Sequence, residues 1–116
     1  MTANNEDFKE RFRQQIDRIV QRLKEAYQPE KIVLFGSCAR GEITADSDID
    51  MLIIKDTDQR PLDRMREVYR LVYSPGQYLA FEPLVYTPQE IAQRLEMGDF
   101  FLQEILSEGK TLYERE

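Results

Sequence analysis

Two short β-branched runs, joined through a Gly-Ser turn and returning on a pair of alternating aspartates, constrain this chain more than any other feature. Lys31-Ile-Val-Leu-Phe35 has high strand preference, is bounded by turn formers, and runs straight into Gly36-Ser37. Asp48-Ile-Asp-Met-Leu-Ile-Ile54 reads as a second strand. Alternate strand residues share a face, so Asp48 and Asp50 project from the same side. A strand–turn–strand unit of this kind calls for a sheet covered by helices.

The stretch between these runs carries chemistry. Glycine lets a backbone approach a phosphate closely, and free N–H groups where a helix begins attract anions. A short helix is predicted to begin at Cys38 or Ala39, and the Ser37 hydroxyl adds a further donor. Two carboxylates at i, i+2 repel each other unless water or a cation screens them. Mg²⁺ suits them, because it takes oxygen ligands and is usually shared between carboxylates and substrate phosphates. A phosphate cradle beside such a site describes nucleotidyl or phosphoryl transfer.

Absent residues narrow the chemistry from the other direction. The 116 residues include no His, no Trp and one Cys. No imidazole base, Ser-His-Asp triad, internal disulfide or Cys₄ zinc site can be built from this set. The excess of 22 acidic over 16 basic residues, net −6, argues against direct nucleic-acid binding. No apolar run reaches membrane-span length and the charged N-terminal stretch does not read as a signal peptide, which predicts a cytoplasmic protein without a membrane partner.

The remaining elements follow from periodicity and punctuation. Phe8, Phe12, Ile16, Ile19, Val20, Leu23 and Tyr27 form one apolar stripe on a leading helix from about Asn5 to Tyr27, closed by Pro29. A helix is expected from Pro61 to Tyr73 with Leu62, Met65, Tyr69 and Val72 inward, and with Arg60, Arg64, Arg66 and Arg70 as a basic face, solvated by default or else in contact with an acidic or RNA-bound partner. A third strand is expected over Tyr78–Tyr86, where Pro83 removes a ladder donor and implies a bulge or an edge position. Thr87-Pro88-Gln89-Glu90 is a capping box that opens a helix running to about Met97. A last helix near Phe100–Glu108 stops at Gly109, and Lys110–Tyr113 either adds a short strand or packs on the surface. Tyr73, Tyr78 and Tyr86 read as core aromatics with a polar tip, and Cys38 as a small filler residue with no His to activate it. The fold class is α/β (α+β): one domain over residues 1–116, a small mixed sheet of three to four strands flanked by helices.

Gly36-Ser37, the ten residues Cys38 to Ser47, then Asp48-Ile49-Asp50 resemble the signature of the DNA polymerase β-like nucleotidyltransferase superfamily, with Ala39-Arg40-Gly41 also in place. Together with the closing Glu104-Ile-Leu-Ser-Glu-Gly-Lys-Thr-Leu-Tyr113, the pattern is most similar to minimal nucleotidyltransferases, many of them antitoxins paired with helical HEPN ribonuclease toxins. The resemblance implies the nucleotidyltransferase fold, two Mg²⁺ ions, and transfer of AMP from ATP to a toxin tyrosine. It implies that Gly36 and Ser37 hold the triphosphate and Arg40 steadies it, while Asp48, Asp50 and Glu82 hold the metal. Glu82 stands where most small relatives carry Asp. Two other functions compete. One is a catalytically weak binding module that masks the toxin sterically. The other is a small-molecule transferase of the aminoglycoside type, for which the chain leaves little room.

Overall fold

In the computed structural model, which describes residues 5–76 and 80–116, five helices cover both faces of a four-stranded sheet. In chain order these are α1 (Asn5–Ala26), β1 (Lys31–Phe35), α2 (Gly36–Arg40), β2 (Ile49–Ile54), α3 (Pro61–Val72), β3 (Phe81–Tyr86), α4 (Pro88–Glu96), α5 (Phe100–Glu108) and β4 (Lys110–Glu114). The strand order is β3-β2-β1-β4. β1 pairs antiparallel with β2 and β4, whereas β2 and β3 run parallel. The sheet is therefore mixed, and α3 supplies the crossover that a parallel pair requires. The C-terminal tail adds a strand, against β1.

Alternation along the strands divides the core into two layers. Ile32 and Leu34 of β1, with Ile49, Met51 and Ile53 of β2, join Ile16, Ile19 and Leu23 of α1 and Val68 and Val72 of α3. Val33, Leu52 and Ile54 point the other way, into Ile91 of α4 and Leu102 and Ile105 of α5. By the same alternation Asp50 lies on the α4/α5 face with Leu52 and Ile54. β3 is an edge strand, where Pro83 costs no ladder bond on its open side.

Local signals account for several boundaries. The Thr87 side chain accepts from Glu90 N, and the Glu90 carboxylate accepts from Thr87 N, so both halves of the capping box form at the start of α4. Asp99 caps α5 by accepting from Leu102 N, and Gly109 ends it. A Cβ at Gly109 would collide with the Ile105 carbonyl and the Val33 side chain, so glycine is needed there for close approach as well as for the stop.

Several expectations are corrected. α2 begins at Gly36 rather than at Cys38 or Ala39, because extended Phe35 serves as its N-cap and Gly36 turns the chain at φ +74°. β2 starts at Ile49, with Asp48 just before it. On α3 the inward line is Arg64, Val68 and Val72; Leu62 is exposed, Tyr69 is partly so but lays its ring against Phe81 and donates its hydroxyl to the Phe81 carbonyl, and Tyr73 beyond the helix is exposed. Arg64 is not part of a solvated basic face. Its Nη1 donates to Glu90 Oε1 at 2.7 Å and to the Val85 carbonyl, and its Nε donates to the Gln59 carbonyl. With its donors satisfied, the guanidinium takes a buried position that an apolar residue would otherwise fill. The expected strand start at Tyr78, and Tyr78 itself, fall outside the described residues.

Candidate active site

The acidic residues gather where β2 and β3 begin. Asp50 of β2 and Glu82 of β3 are register partners across the parallel pair, and Ile49 N donates to the Ala80 carbonyl at 2.6 Å just before them. Asp48 stands two residues back from Asp50 on the incoming loop and is exposed, as is Glu82, while Asp50 is half-buried. Burial first, then the charges of Asp48 and Glu82, raise the Asp50 carboxyl above its ordinary value, and Arg40 works against that rise. The three carboxylates predicted as metal ligands thus share one electrostatic neighbourhood.

The Gly36 turn is fitted to this neighbourhood. A Cβ on Gly36 would collide with Asp50 Oδ2, so the backbone at the β1–α2 junction passes directly against the carboxylate. Ser37 follows in α2, and its carbonyl accepts from Glu42 N and from the capping N–H of Gly41. Cys38 is buried, and its Sγ donates to the Asp48 carbonyl at 3.3 Å. Burial, then Asp50 and Asp48, push the thiol up to about 11, so it is neutral and serves as packing and as a tie holding the Asp48 backbone. Arg40 is exposed and ion-paired with Glu42 at 3.1 Å. The intervening loop is closed by Ser47 Oγ, which accepts from Thr44 N at 2.8 Å.

A cleft of about 260 Å³ opens beside this junction. Gly36, Arg40 and Asp50 line one wall, and Phe101, Glu104 and Glu108 of α5 the other. The Phe101 ring meets Phe35 edge-on, with centroids 5.8 Å apart at 79°. The closing Glu104–Tyr113 pattern overlaps α5 but assigns it no chemistry. Its signal was available only as spacing, since Phe101, Glu104, Ile105 and Glu108 fall on one helical face.

Among the described residues, no three Asp, Glu or Cys side chains stand close enough together to hold a metal ion as they are placed. The donor chemistry nevertheless fits a hard divalent cation. Asp48, Asp50 and Glu82 offer only oxygen, and the charges of Asp48 and Glu82, which add to burial in raising the Asp50 carboxyl, are a repulsion that such a cation relieves.

A mixed sheet carrying carboxylates at the start of two parallel strands, with a Gly-Ser turn against one of them, defines a domain built for phosphoryl or nucleotidyl transfer. Residues 16–110 match the nucleotidyltransferase domain family, and the chain belongs to that family of enzymes. It is 32% identical over 100 residues to MJ0604 of Methanocaldococcus jannaschii, which is named as a candidate protein adenylyltransferase; the match spans 84% of this chain and 94% of that protein. A second protein of that organism with the same description, MJ1305, is 30% identical over 108 residues, covering 87% of this chain and 71% of its own length. A crystal structure of a candidate nucleotidyltransferase from Sulfolobus solfataricus shares the fold, with a TM-score of 0.68 and 19% identity over 99% of this chain and 91% of that one. No helix among the described residues is long and apolar enough to cross a membrane.

Proposed function

We propose that this nucleotidyltransferase moves AMP from ATP to a tyrosine hydroxyl of a partner protein, and that the partner is a HEPN-type ribonuclease toxin which the transfer neutralises. The pairing of Asp50 with Glu82 beside Gly36 carries the reading. The description of the Methanocaldococcus jannaschii relatives as candidate protein adenylyltransferases supports a protein acceptor. Asp48, Asp50 and Glu82 would hold Mg²⁺, which when bound neutralises phosphate charge and makes the acceptor hydroxyl easier to ionise.

The chain's own groups have distinct duties. Gly36 clears the space in front of Asp50, and Gly36 and Ser37 cradle the triphosphate, with Arg40 swinging from Glu42 to steady it. The acceptor oxygen forms a new bond to the α-phosphorus while the bond from that phosphorus to the pyrophosphate oxygen breaks. Glu82, exposed at the sheet edge, receives the acceptor's proton. No imidazole is needed at any point.

The test is incubation of the chain with ATP, Mg²⁺ and candidate acceptors, a HEPN-type toxin and an aminoglycoside among them, read by intact mass and peptide mapping. A gain of one or more AMP units on a toxin tyrosine, lost in Asp48→Asn plus Asp50→Asn, is the expected result. A tight complex without mass gain would instead identify a masking module, and a modified antibiotic a small-molecule transferase.

A further inference from the structure

We infer that Phe101, Glu104 and Glu108 of α5 form a nucleobase subsite, with Phe101 as the stacking surface and the two carboxylates receiving an exocyclic amino group. The inference rests on the nucleotide reading above and adds to it which part of the substrate lies where. The two walls of the cleft differ in chemistry. The α2 and β2 wall carries the Gly36 backbone, Arg40 and Asp50; the α5 wall carries Phe101 and two glutamates. A triphosphate cannot lie against Glu104 and Glu108 without uncompensated repulsion. The anionic tail therefore belongs on the α2 side, where Arg40 and a cation held by the Asp50 cluster would offset the carboxylates, and the uncharged end of the nucleotide faces α5.

Phe101 is suited to that end. It is 56% exposed although it borders a charged site, so the core does not account for its position. Its near-perpendicular contact with Phe35 fixes the ring and leaves a face free for another aromatic ring. Carboxylates accept hydrogen bonds and never donate them, so Glu104 and Glu108 favour a base edge bearing an amino group over one bearing a carbonyl. ATP is accordingly preferred to UTP. A cleft of about 260 Å³ has room for a base and part of its sugar.

Calorimetric titration of the full chain with ATP, UTP and inorganic tripolyphosphate, all with Mg²⁺, tests the assignment. Phe101→Ala should weaken ATP binding roughly tenfold and leave tripolyphosphate unchanged, because stacking on one aromatic ring is lost. Phe101→Leu, which keeps apolar bulk without a π-face, should behave alike, and Phe101→Tyr should retain affinity. Phe100→Ala is the control, since Phe100 is 82% exposed but does not line the cleft. Glu104→Gln plus Glu108→Gln should narrow the preference for ATP over UTP. Wild-type ATP affinity in Phe101→Ala, or equal losses for ATP and tripolyphosphate, overturns the subsite alone. A wild-type chain that binds neither ATP nor tripolyphosphate overturns the nucleotide reading with it.

Discussion

Asp50 and Glu82 face each other across the parallel β2–β3 pair, one carboxylate per strand at the same register position. Adjacent strands lie about 4.8 Å apart, so the two residues stand side by side, and the charge of Glu82 helps to raise the Asp50 carboxyl. Asp48 adds a third negative charge to the same field. Replacing Asp50 by Asn removes the focus of that repulsion. The variant is expected to unfold at a higher temperature than wild type in metal-free buffer. Added Mg²⁺ should raise the wild-type midpoint and leave the Asn variant nearly unmoved. Thermal scans with EDTA and with Mg²⁺ check this, and equal Mg²⁺ shifts in both proteins would remove Asp50 from the metal site.

Gly36 and Gly41 both have positive φ, at +74° and +76°, yet their surroundings differ. An added Cβ at Gly41 meets nothing within 4 Å, so Gly41→Ala should cost only the left-handed backbone penalty of about 1 kcal/mol. At Gly36 the same methyl drives into the Asp50 carboxylate. Gly36→Ala should therefore destabilise by about 1–3 kcal/mol and also displace Asp50. Chemical denaturation separates the two costs. Transfer activity should survive in the Gly41 variant and be largely lost in the Gly36 variant.

Cys38 sits between the Gly-Ser turn and the aspartates, but its chemistry is inert. Burial keeps the thiol protonated well above neutral pH, and its hydrogen goes to the Asp48 carbonyl. Iodoacetamide at pH 8 should label the folded chain slowly and the denatured chain at once. Cys38→Ala should retain transfer activity while losing about 1 kcal/mol of stability from the emptied volume. Loss of activity without loss of stability would instead give the thiol a direct role.

The parts of the fold that could be read locally were those with local causes. The β-branched run of β1, the capping box at Thr87 and the stop at Gly109 are each specified by a few adjacent residues, and each stands where expected. Arg64 could not be read that way. Whether an arginine on α3 faces water or the core depends on Glu90 and the Val85 carbonyl, which lie 26 and 21 residues further on. Phe101 is a similar case. Only the packing of α5 over Phe35 brings it to the cleft, and no pattern around it announces that contact. The pairing of the aspartates was legible because their pattern makes poor sense as packing, whereas the Glu104–Tyr113 pattern on the far wall of the same cleft points to no chemistry.

The Arg64–Glu90 pair makes stability depend on acidity in a definite direction. Hydrogen bonding from Arg64, then the backbone and hydroxyl of Thr87, hold the Glu90 carboxyl below its ordinary value of 4.5, with burial opposing. A carboxyl whose folded-state value is lowered gives the folded chain fewer bound protons than the unfolded chain. Its contribution is therefore complete above the ordinary value and is lost as pH falls through the lowered one. Arg64 is almost fully buried, whereas about a third of the Glu90 side chain reaches solvent. Removing either partner should cost about 2–4 kcal/mol, toward the lower end for loss of Glu90. Glu90→Gln keeps a capping acceptor but loses the charge, so the wild-type advantage over it should be constant from pH 7 to 5 and shrink below 4.5. Arg64→Met should show the same acid convergence without disturbing the carboxylates of the candidate site. Urea unfolding across that pH range measures it, and a gap that stays constant down to pH 3 would show that the pair stabilises by packing rather than by charge.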